Sequence, residues 1–250
     1  MESNASYISD SVVAKADGEV LSAATSHQIR IHHSETTTEE KRITEEKKRY
    51  GYLFFKRAFD IVASFFGLVL LSPLFLAVSA VIRIESEGKA LFSQVRIGKD
   101  GEPFTFYKFR SMHKDAEYRR SELIVFNEMD GPVFKMVNDP RITRVGKFLR
   151  KTSIDELPQL FNILKGDMSF VGPRPPLPNE VEQYSDYHMR RLEVKGGLTC
   201  YWQVNGRSDV VLFDEWVHMD VKYIEERSVL VDMKILFKTF KVVLFREGAC

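Results

Sequence analysis

Cysteine is nearly absent from this 250-residue chain, which contains only Cys200 and Cys250. Two cysteines cannot build the disulfide framework on which small secreted domains depend, so the sequence predicts a protein of a reducing compartment. An excess of either charge is missing too, because 36 Lys and Arg residues stand against 35 Asp and Glu residues. This balance gives no signal for nucleic acid, and we expect no nucleic-acid partner.

The first part of the chain has few apolar and aromatic residues. Its first 50 residues are polar and show no basic, then apolar, then small-residue pattern, so we expect no secretory signal within them. Residues 1–46 are rich in Ser, Thr, Glu and Ala and poor in aromatic residues. This composition predicts a disordered polar tail. We interpret its histidines, His27, His32 and His33, as solvated, because no acid or cysteine lies at ligand spacing.

One long apolar run is present, from Ile61 to Ile82, and its 22 residues carry no charge. As a helix rising about 1.5 Å per residue it nearly matches a hydrocarbon core of roughly 30 Å. All its faces are apolar, which argues against the core helix of a soluble protein. Basic residues flank both ends, and the positive-inside tendency then places both ends on the cytoplasmic side.

Pro73 lies near the middle of this run and removes the hydrogen bond to the Val69 carbonyl. A freed carbonyl is costly in lipid, and the hydroxyl of Ser72 is placed to satisfy it. A helix broken at Ser72–Pro73 could enter one leaflet and leave by the same face. The residues alone leave this re-entrant arrangement and a kinked span equally open. We predict residues 47–90 as a membrane-associated segment with a re-entrant helix.

A second membrane signal lies near the C-terminus, in VDMKILFKTFKVVLF. Three lysines recur there at i, i+4 and i+7, and apolar residues fill much of the remainder. These residues are Lys234, Lys238 and Lys241, with Ile235, Leu236, Phe240, Val243 and Leu244. A basic stripe beside an apolar face suits a helix at an anionic lipid surface. An amphipathic core helix with solvated lysines is an equal alternative.

Residues 91–250 are predicted to form a compact cytosolic catalytic domain that ends in this amphipathic helix. The expected class is α+β and mostly helical, with amphipathic interfacial helices and a small β-hairpin. Two strands within residues 91–112 flank the turn pair Asp100–Gly101. Residues 113–127 are charged and helix-prone.

The stretch TSIDELPQLFNILKGD predicts an amphipathic helix, with Leu157, Leu160, Phe161 and Leu164 at helical spacing. Ser153 and Glu156 fit a capping box, and Gly166 is a natural stop. Asp155 and Glu156 at the start of this helix also suit its dipole, but one acid suffices for that.

Basic residues precede the two acids, in DPRITRVGKFLRK, and include Arg141 and Arg150. Two acids beside several arginines suit a site that binds a cation and an anionic substrate together better than they suit helix capping alone. The loop VGPRPP then presents Arg174, next to Pro173, with little freedom to lose, which suits a phosphate or a carboxylate. A lone GPRP is weak evidence, because proline-rich loops often only connect elements. Residues 195–208 combine glycines, an aromatic pair and Arg207, as a mobile substrate loop or a simple turn would.

These motifs, taken in order, resemble the bacterial sugar transferases, monotopic phosphoglycosyl transferases that act on polyprenyl phosphate. The resemblance covers roughly residues 54–248 and rests on KRAFDIVAS, LLSP, FYKFRSM, NDPRITRVGKFLRKTSIDELPQLFNILKGDMSFVGPRPP and GLTCYWQVNGRS. Several long motifs in the correct order are far more specific than any single one. The chain departs from the family at Gly196–Gly197, where Pro-Gly is usual.

The resemblance implies a catalytic dyad at Asp155 and Glu156, with Asp155 as the nucleophile and Mg²⁺ as the cofactor held at the two acids. It implies a re-entrant helix kinked at Ser72 and Pro73. The basic positions of the family fall on Lys108, Arg110, Arg150 and Arg174. Together with Arg141, Pro173 and Arg207, these residues are the expected substrate-binding set.

The expected reaction transfers a hexose 1-phosphate from a UDP-sugar to polyprenyl (undecaprenyl) phosphate through an aspartyl-phosphosugar intermediate, and releases UMP. Such an enzyme works at the cytoplasmic face of the bacterial inner membrane, in contact with lipid, as the first membrane step of exopolysaccharide or O-antigen synthesis. A homodimer is left open. Two alternatives remain: a membrane-anchored scaffold that binds anionic lipid without turnover, and a glycosyltransferase that releases UDP.

Overall fold

The computed structural model describes residues 49–205 and 212–245 of the chain. Contacts divide the chain into two units, residues 1–54 and residues 55–250. Of the first unit only 49–54, the start of a helix, is described. The tail predicted for residues 1–46 and the predicted substrate residue Arg207 lie outside the described residues.

Helices make up most of the described chain. In order they are α1 (Arg49–Leu70), α2 (Ser72–Glu85), α3 (Arg120–Leu123), α4 (Arg144–Lys151), α5 (Gln159–Lys165), α6 (Pro178–Val181), α7 (Asp186–Met189), α8 (Tyr201–Val204), α9 (Phe213–Glu226) and α10 (Val229–Phe245). Short 3₁₀ turns add to them at Lys99–Gly101, Ile124–Phe126, Ile154–Glu156 and Arg190–Glu193.

Two small sheets complete the architecture. Strands β1 (Leu91–Ile97) and β2 (Pro103–Phe109) pair antiparallel as the predicted hairpin, and Asp100 and Gly101 in its turn both have positive φ, at 58° and 84°. Strands β3 (Met168–Val171) and β4 (Gly196–Thr199) pair in parallel. The expected α+β, mostly helical class is therefore confirmed.

The apolar run folds as two helices that bend by 60° where α1 meets α2. Pro73 is the second residue of α2, and Ser72 Oγ donates a hydrogen bond of 2.8 Å to the Val69 carbonyl. The carbonyl that the proline leaves without a backbone donor is thus satisfied locally. Within the described residues no single helix is long and apolar enough to cross a membrane, whereas this bent pair meets both criteria together.

Large apolar side chains cover much of α2 and of α1 beyond residue 54. Their exposed fractions reach 74% at Leu70 and Leu76 and 85% at Ile84. A continuous apolar surface of this kind marks an interaction site, with lipid or with protein.

The opposite face of α1 is fixed to the rest of its unit by charged residues, which we call the α1 clamp (Lys56, Arg57 and Asp60). Lys56 Nζ lies 2.6 Å from Asp232 Oδ2 on α10 and 2.9 Å from the Val171 carbonyl oxygen on β3. Because both ends of this ion pair are largely buried, removing either one leaves an uncompensated charge.

The other two clamp residues bind the main chain around α5. Arg57 donates to the carbonyl oxygens of Ile163 and Leu164, at 2.7 and 2.9 Å, and so covers the C-terminal end of that helix. Asp60 Oδ1 accepts a hydrogen bond of 3.1 Å from the Phe170 N–H on β3. The clamp therefore joins α1 to three elements.

Helix α10 has one apolar face that is buried in the core and a second apolar face that is exposed. Ile235 is 1% exposed, whereas Leu230, Phe237 and Phe240 are each about 70% exposed, at 74, 69 and 69%. The exposed lysines of the predicted basic stripe follow beside them at Lys234, Lys238 and Lys241. The buried face and the exposed lysines agree with an amphipathic core helix, and contact of the exposed apolar face with lipid stays a prediction.

The helical expectation for residues 113–127 is wrong over most of its length. Only Arg120–Leu123 is α-helical, and the 3₁₀ turn Ile124–Phe126 follows it. The carbonyl of Ala116 accepts a bond from the Arg141 guanidinium, and the His113 N–H donates to the Arg141 carbonyl. These long-range bonds hold residues 113–116 as a turn.

Candidate functional site

The acid pair lies on a 3₁₀ turn between α4 and α5. Ser153, after the end of α4, has φ 55°, and its side chain makes no capping hydrogen bond. The predicted capping box is therefore wrong. Helix α5 begins later, at Gln159, with Pro158 as its N-cap. Pro158 has no N–H to donate, and the Leu160 N–H instead makes a 3₁₀-type bond of 3.0 Å to the Leu157 carbonyl, so the regular α-helix starts only after the proline. Gly166, with φ 102°, ends α5 as predicted.

The two acids differ in exposure and share one cation. Asp155 is 4% exposed, and Glu156 is more open. Lys108 Nζ from β2 lies 2.8 Å from Glu156 Oε1 and 4.0 Å from Asp155 Oδ2. This ammonium offsets part of the repulsion between neighbouring carboxylates.

Two adjoining cavities meet at Asp155. The first lobe has a volume of about 260 Å³ and is also lined by Glu156 and Gln159, whereas the second lobe has about 430 Å³ and is also lined by Lys89 and Arg110. The side chains common to both lobes include five cations, namely Arg96, Lys108, Arg141, Arg150 and Arg174. One carboxylate thus lies between two spaces with a shared positive lining.

The cations common to both lobes are not equally available to a ligand. The side chain of Arg150 forms no hydrogen bond or salt bridge with any residue that the structure describes, so its guanidinium is open to an anion. Arg141 is bound by Asp139 through both carboxylate oxygens, at 2.9 and 2.6 Å, and is buried. These bonds from Arg141, opposed by burial, hold the pKa of Asp139 below its ordinary value. Arg141 therefore shapes the wall more than it supplies free charge.

Arg110, one of the expected substrate-binding residues, lies at the edge of the site. It lines the second lobe alone, and its guanidinium donates bonds of 2.7 Å to the carbonyls of Ser86 and Glu87. These carbonyls follow the C-terminal end of α2, so Arg110 joins the hairpin to the end of the bent helix pair.

The GPRP loop is held by a close approach of two backbones. A Cβ atom at Gly197 would lie 2.1 Å from the Gly172 nitrogen, so no larger residue fits there. The Gly197 N–H donates a bond of 2.9 Å to the Pro173 carbonyl. Pro173, expected in the substrate site, thus serves to dock the loop on β4.

Arg174 leaves this docked loop and enters both lobes. Its Nη1 lies 3.8 Å from Glu180 Oε2, and its guanidinium carbon lies 5.8 Å from the Trp216 ring centroid. The carbonyl of Arg174 accepts a bond of 3.4 Å from Arg191 Nη2. An acid, an aromatic ring and a second arginine therefore orient this cation.

Arg191 is itself paired with Asp220 in the core, at 2.8 Å, and both side chains are nearly inaccessible. Burial raises the pKa of the Asp220 carboxyl to about 6, although the charge of Arg191 and its hydrogen bond lower it. This pair lies behind the loop that presents Arg174 and fixes the position of its backbone.

Sequence reasoning missed two residues of the site. Arg96 is 8% exposed, donates a bond of 2.9 Å to the Pro175 carbonyl, and lines both lobes. Burial, together with the neighbouring Arg174 charge, lowers the pKa of its guanidinium to about 9. The sequence feature that could have identified Arg96 is a charged residue between Val95 and Ile97 in a predicted strand. Gln159 is the other missed residue, and its signal was its position one helical turn after Asp155.

The acid pair fits the chemistry of a magnesium ion. Magnesium takes oxygen ligands and commonly needs one or two carboxylates, with substrate phosphates and water completing its shell. In the described part of the chain no cluster of three or more His, Cys, Asp or Glu residues is arranged to hold a metal. Asp155 and Glu156 therefore match a metal that arrives with a phosphate substrate, and do not match an ion enclosed by protein alone.

A comparison with protein-family models identifies the family of this chain. The model described as bacterial sugar transferase matches residues 51–246. The chain belongs to the bacterial sugar transferase family. The resemblance seen in the motifs is thereby confirmed, and the two acids, Lys108 and the GPRP loop all lie within the matched residues.

Three relatives illustrate the family. The galactosyl transferase CpsE of Streptococcus agalactiae serotype III is 50% identical over 202 residues, 80% of this chain and 44% of that protein. The undecaprenyl-phosphate galactose phosphotransferase of Salmonella typhimurium is 45% identical over 215 residues, 83% of this chain and 44% of that protein. The exopolysaccharide production protein ExoY of Rhizobium meliloti is 39% identical over 198 residues, 78% of this chain and 87% of that protein. The chain thus spans less than half the length of the first two.

Proposed function

We propose that the chain transfers a hexose 1-phosphate from a UDP-sugar to polyprenyl phosphate and releases UMP. The observation that carries this proposal is the meeting of two cation-lined cavities at the single carboxylate of Asp155. Two binding spaces that share one reacting group suit a transfer between two anionic substrates. A shared positive lining suits phosphates in both spaces.

In the first step a carboxylate oxygen of Asp155 attacks the β-phosphorus of the UDP-sugar. The bond from this phosphorus to the bridging oxygen breaks, UMP leaves with the electron pair, and the hexose phosphate is bound to Asp155. In the second step a phosphate oxygen of the polyprenyl phosphate attacks the same phosphorus and frees the carboxylate. Covalent catalysis divides one difficult transfer into two easier ones.

The basic residues of the site stabilise the charge that develops at phosphorus. Arg150, whose side chain makes no hydrogen bond or salt bridge to a described residue, and Arg174, oriented by its loop, are placed to donate charge-assisted hydrogen bonds to phosphate oxygens. Lys108 holds Glu156 beside the reacting carboxylate. Glu156 and Asp155 would hold Mg²⁺, which supplies charge neutralisation to the diphosphate when it is bound.

We further propose that α1 and α2 enter the cytoplasmic leaflet and leave by the same face. Their 60° bend, their exposed apolar surface and the exposed apolar and basic faces of α10 support this arrangement. The α1 clamp would then set the height of the site at the level of lipid phosphates. Lipid is a partner in this proposal, and the cytoplasmic face is the site of action.

The two relatives of highest quoted identity carry galactose in their names, and one of them names undecaprenyl phosphate. We therefore propose a UDP-hexose donor, with UDP-galactose and UDP-glucose as the first to assay. Exopolysaccharide synthesis, which the name of the third relative gives, is the proposed setting.

The test is release of UMP from UDP-hexose by the purified chain in lipid with polyprenyl phosphate and Mg²⁺. We expect UMP from the wild type and none from Asp155→Asn, while the exposed variant Asp186→Asn keeps full activity. Without the acceptor, mass spectrometry of the wild type should show one added hexose phosphate. Release of UDP would support a glycosyltransferase, and no nucleotide product from any donor would support a lipid-binding scaffold.

A further inference from the structure

Gln159 is a largely buried residue whose side-chain amide has no hydrogen-bond partner among the described residues. Its side chain is 2% exposed, and it makes no hydrogen bond to any residue in the described ranges. Buried side-chain amides are nearly always hydrogen-bonded, because an unpaired amide lowers the stability of the fold. Gln159 lines the first lobe and not the second. Its position indicates that a ligand completes its hydrogen bonds.

Asn162, on the same helix, shows how an amide is used when its role is structural. Its Oδ1 accepts a bond of 3.1 Å from the Tyr107 N–H, and its Nδ2 donates a bond of 2.6 Å to the Thr105 carbonyl. A further bond of 3.2 Å joins Nδ2 to Asp167. Asn162 thus ties α5 to β2 and to the residue after Gly166. The contrast between the two amides is internal to one helix of seven residues.

We propose that Gln159 hydrogen-bonds to a hydroxyl group of the hexose during its transfer. This inference rests on the proposed function, in which the phosphorus bound to Asp155 carries the hexose directly. Gln159 and Asp155 line the same first lobe, so the amide is placed to reach the group attached to that phosphorus. The nucleoside is further away, because the leaving phosphate separates it from the same centre.

The chemistry of the amide also selects a hydroxyl. A side-chain amide offers two donors and one acceptor, and a sugar hydroxyl both donates and accepts. Phosphate oxygens only accept, and Arg150 and Arg174, which line both lobes, already provide donors for them. Gln159 is therefore a residue for recognition of the sugar, and the arginines and Lys108 recognise the phosphates.

The first measurement separates this role from a structural one. Gln159→Met keeps the size of the side chain and removes a polar group that has no partner among the residues the structure describes. We expect its melting temperature to equal or exceed that of the wild type, while kcat/KM for the preferred UDP-hexose falls about 10- to 100-fold. Asn162→Leu is the matched control, and it should lower the melting temperature because it breaks three bonds. A Gln159→Met variant that melts well below the wild type would contradict the proposal.

The second measurement identifies the group that is recognised. UMP release is assayed with a series of UDP-hexoses that each lack one hydroxyl. For the wild type, kcat/KM should be at least tenfold lower with one of these deoxy donors than with the complete UDP-hexose. For Gln159→Met, kcat/KM should be the same with that deoxy donor as with the complete UDP-hexose. If the variant discriminates as the wild type does, or is slowed equally with all donors, the sugar contact is wrong. If the wild type releases no UMP from any donor, the proposed function itself is wrong, and so is the proposed contact between Gln159 and the hexose.

Discussion

Lys108 Nζ lies 2.8 Å from Glu156 Oε1 and so joins the hairpin to the acidic turn across 48 residues of sequence. The same ammonium reaches Asp155 at 4.0 Å. Two adjacent carboxylates therefore persist in one turn because a cation from another element lies between them. This relationship explains why a short strand is required next to the acidic turn.

Replacing Lys108 should affect catalysis more than folding. Lys108→Met removes the ammonium that orients Glu156, and we expect UMP release to fall about 100- to 1,000-fold, as when one electrostatic donor is lost from an active site. Lys108→Arg keeps the charge with altered geometry and should retain part of the activity. Steady-state assays with melting curves check both variants. Activity of Lys108→Met within threefold of the wild type would contradict this role.

The arrangement of the bent helix pair can be tested by labelling from the two sides of a membrane. In a chain with both native cysteines replaced, single cysteines at Glu45→Cys and Glu102→Cys should react with an impermeant reagent from the same, cytoplasmic, side. Pro73→Ala restores an N–H for the Val69 carbonyl and favours a straighter helix. We expect a fraction of this variant to present position 45 from the opposite side.

Ser79→Ala, a substitution in α2 away from the break, serves as the control for the labelling experiment. It should label as the parent chain does. Labelling of positions 45 and 102 from opposite sides in the parent chain would mean that the helix pair spans the membrane.

The exposed apolar face of α10 should contact lipid. A polarity-sensitive dye at Phe237→Cys, in a background without the native cysteines, should be quenched by lipids that carry a quencher in their acyl chains. Removing two lysines, in Lys234→Gln with Lys241→Gln, should weaken this contact in anionic liposomes, by about 1 kcal/mol per lysine. The control position is Lys222→Cys on α9. Equal quenching at positions 222 and 237 would contradict the prediction.

The buried carboxyl of Asp220 should give stability a specific dependence on pH. Its pKa is raised from an ordinary 3.8 to about 6 in the folded chain, first by burial. Between these values the folded state holds a proton that the unfolded state has lost, so its contribution to stability increases as the pH falls and is lost as the pH rises through about 6. Asp220→Asn does not titrate in this range.

The measurement for Asp220 is the difference in melting temperature between the wild type and Asp220→Asn. We expect this difference to shift in favour of the wild type when the pH is lowered from about 7 to about 4.5. A constant difference across that range would show that Asp220 does not titrate there. Activity at neutral pH should fall in the variant as well, because Arg191 then holds the Arg174 loop less firmly.

Local sequence signals predicted the elements whose causes are local. The turn at Asp100–Gly101 and the end of α5 at Gly166 follow from the backbone freedom of those residues. The bend at Ser72–Pro73 follows from a missing N–H and a nearby hydroxyl. Each of these features depends on residues within one or two turns, which a pattern in the sequence can contain.

The features that escaped prediction depend on distant partners. The amphipathic spacing placed Phe161 in the core, but it is 51% exposed, and the amides Gln159 and Asn162 are buried in its stead. The hairpin lies against that face of α5 and supplies partners to Asn162, which no pattern within the helix can reveal. Similarly, Arg141 looked like a ligand for phosphate until the bidentate pairing with Asp139 became visible.

The α1 clamp also has a consequence for how the chain tolerates insertions. Twelve residues separate Asp60 from Ser72, which is roughly 18 Å of helix at about 1.5 Å per residue. An extra residue between them would leave Lys56, Arg57 and Asp60 seated but would turn everything beyond by about 100°. Loss or gain of a single amino acid in that interval would therefore point α2 away from Arg110, while three or four would nearly restore its direction.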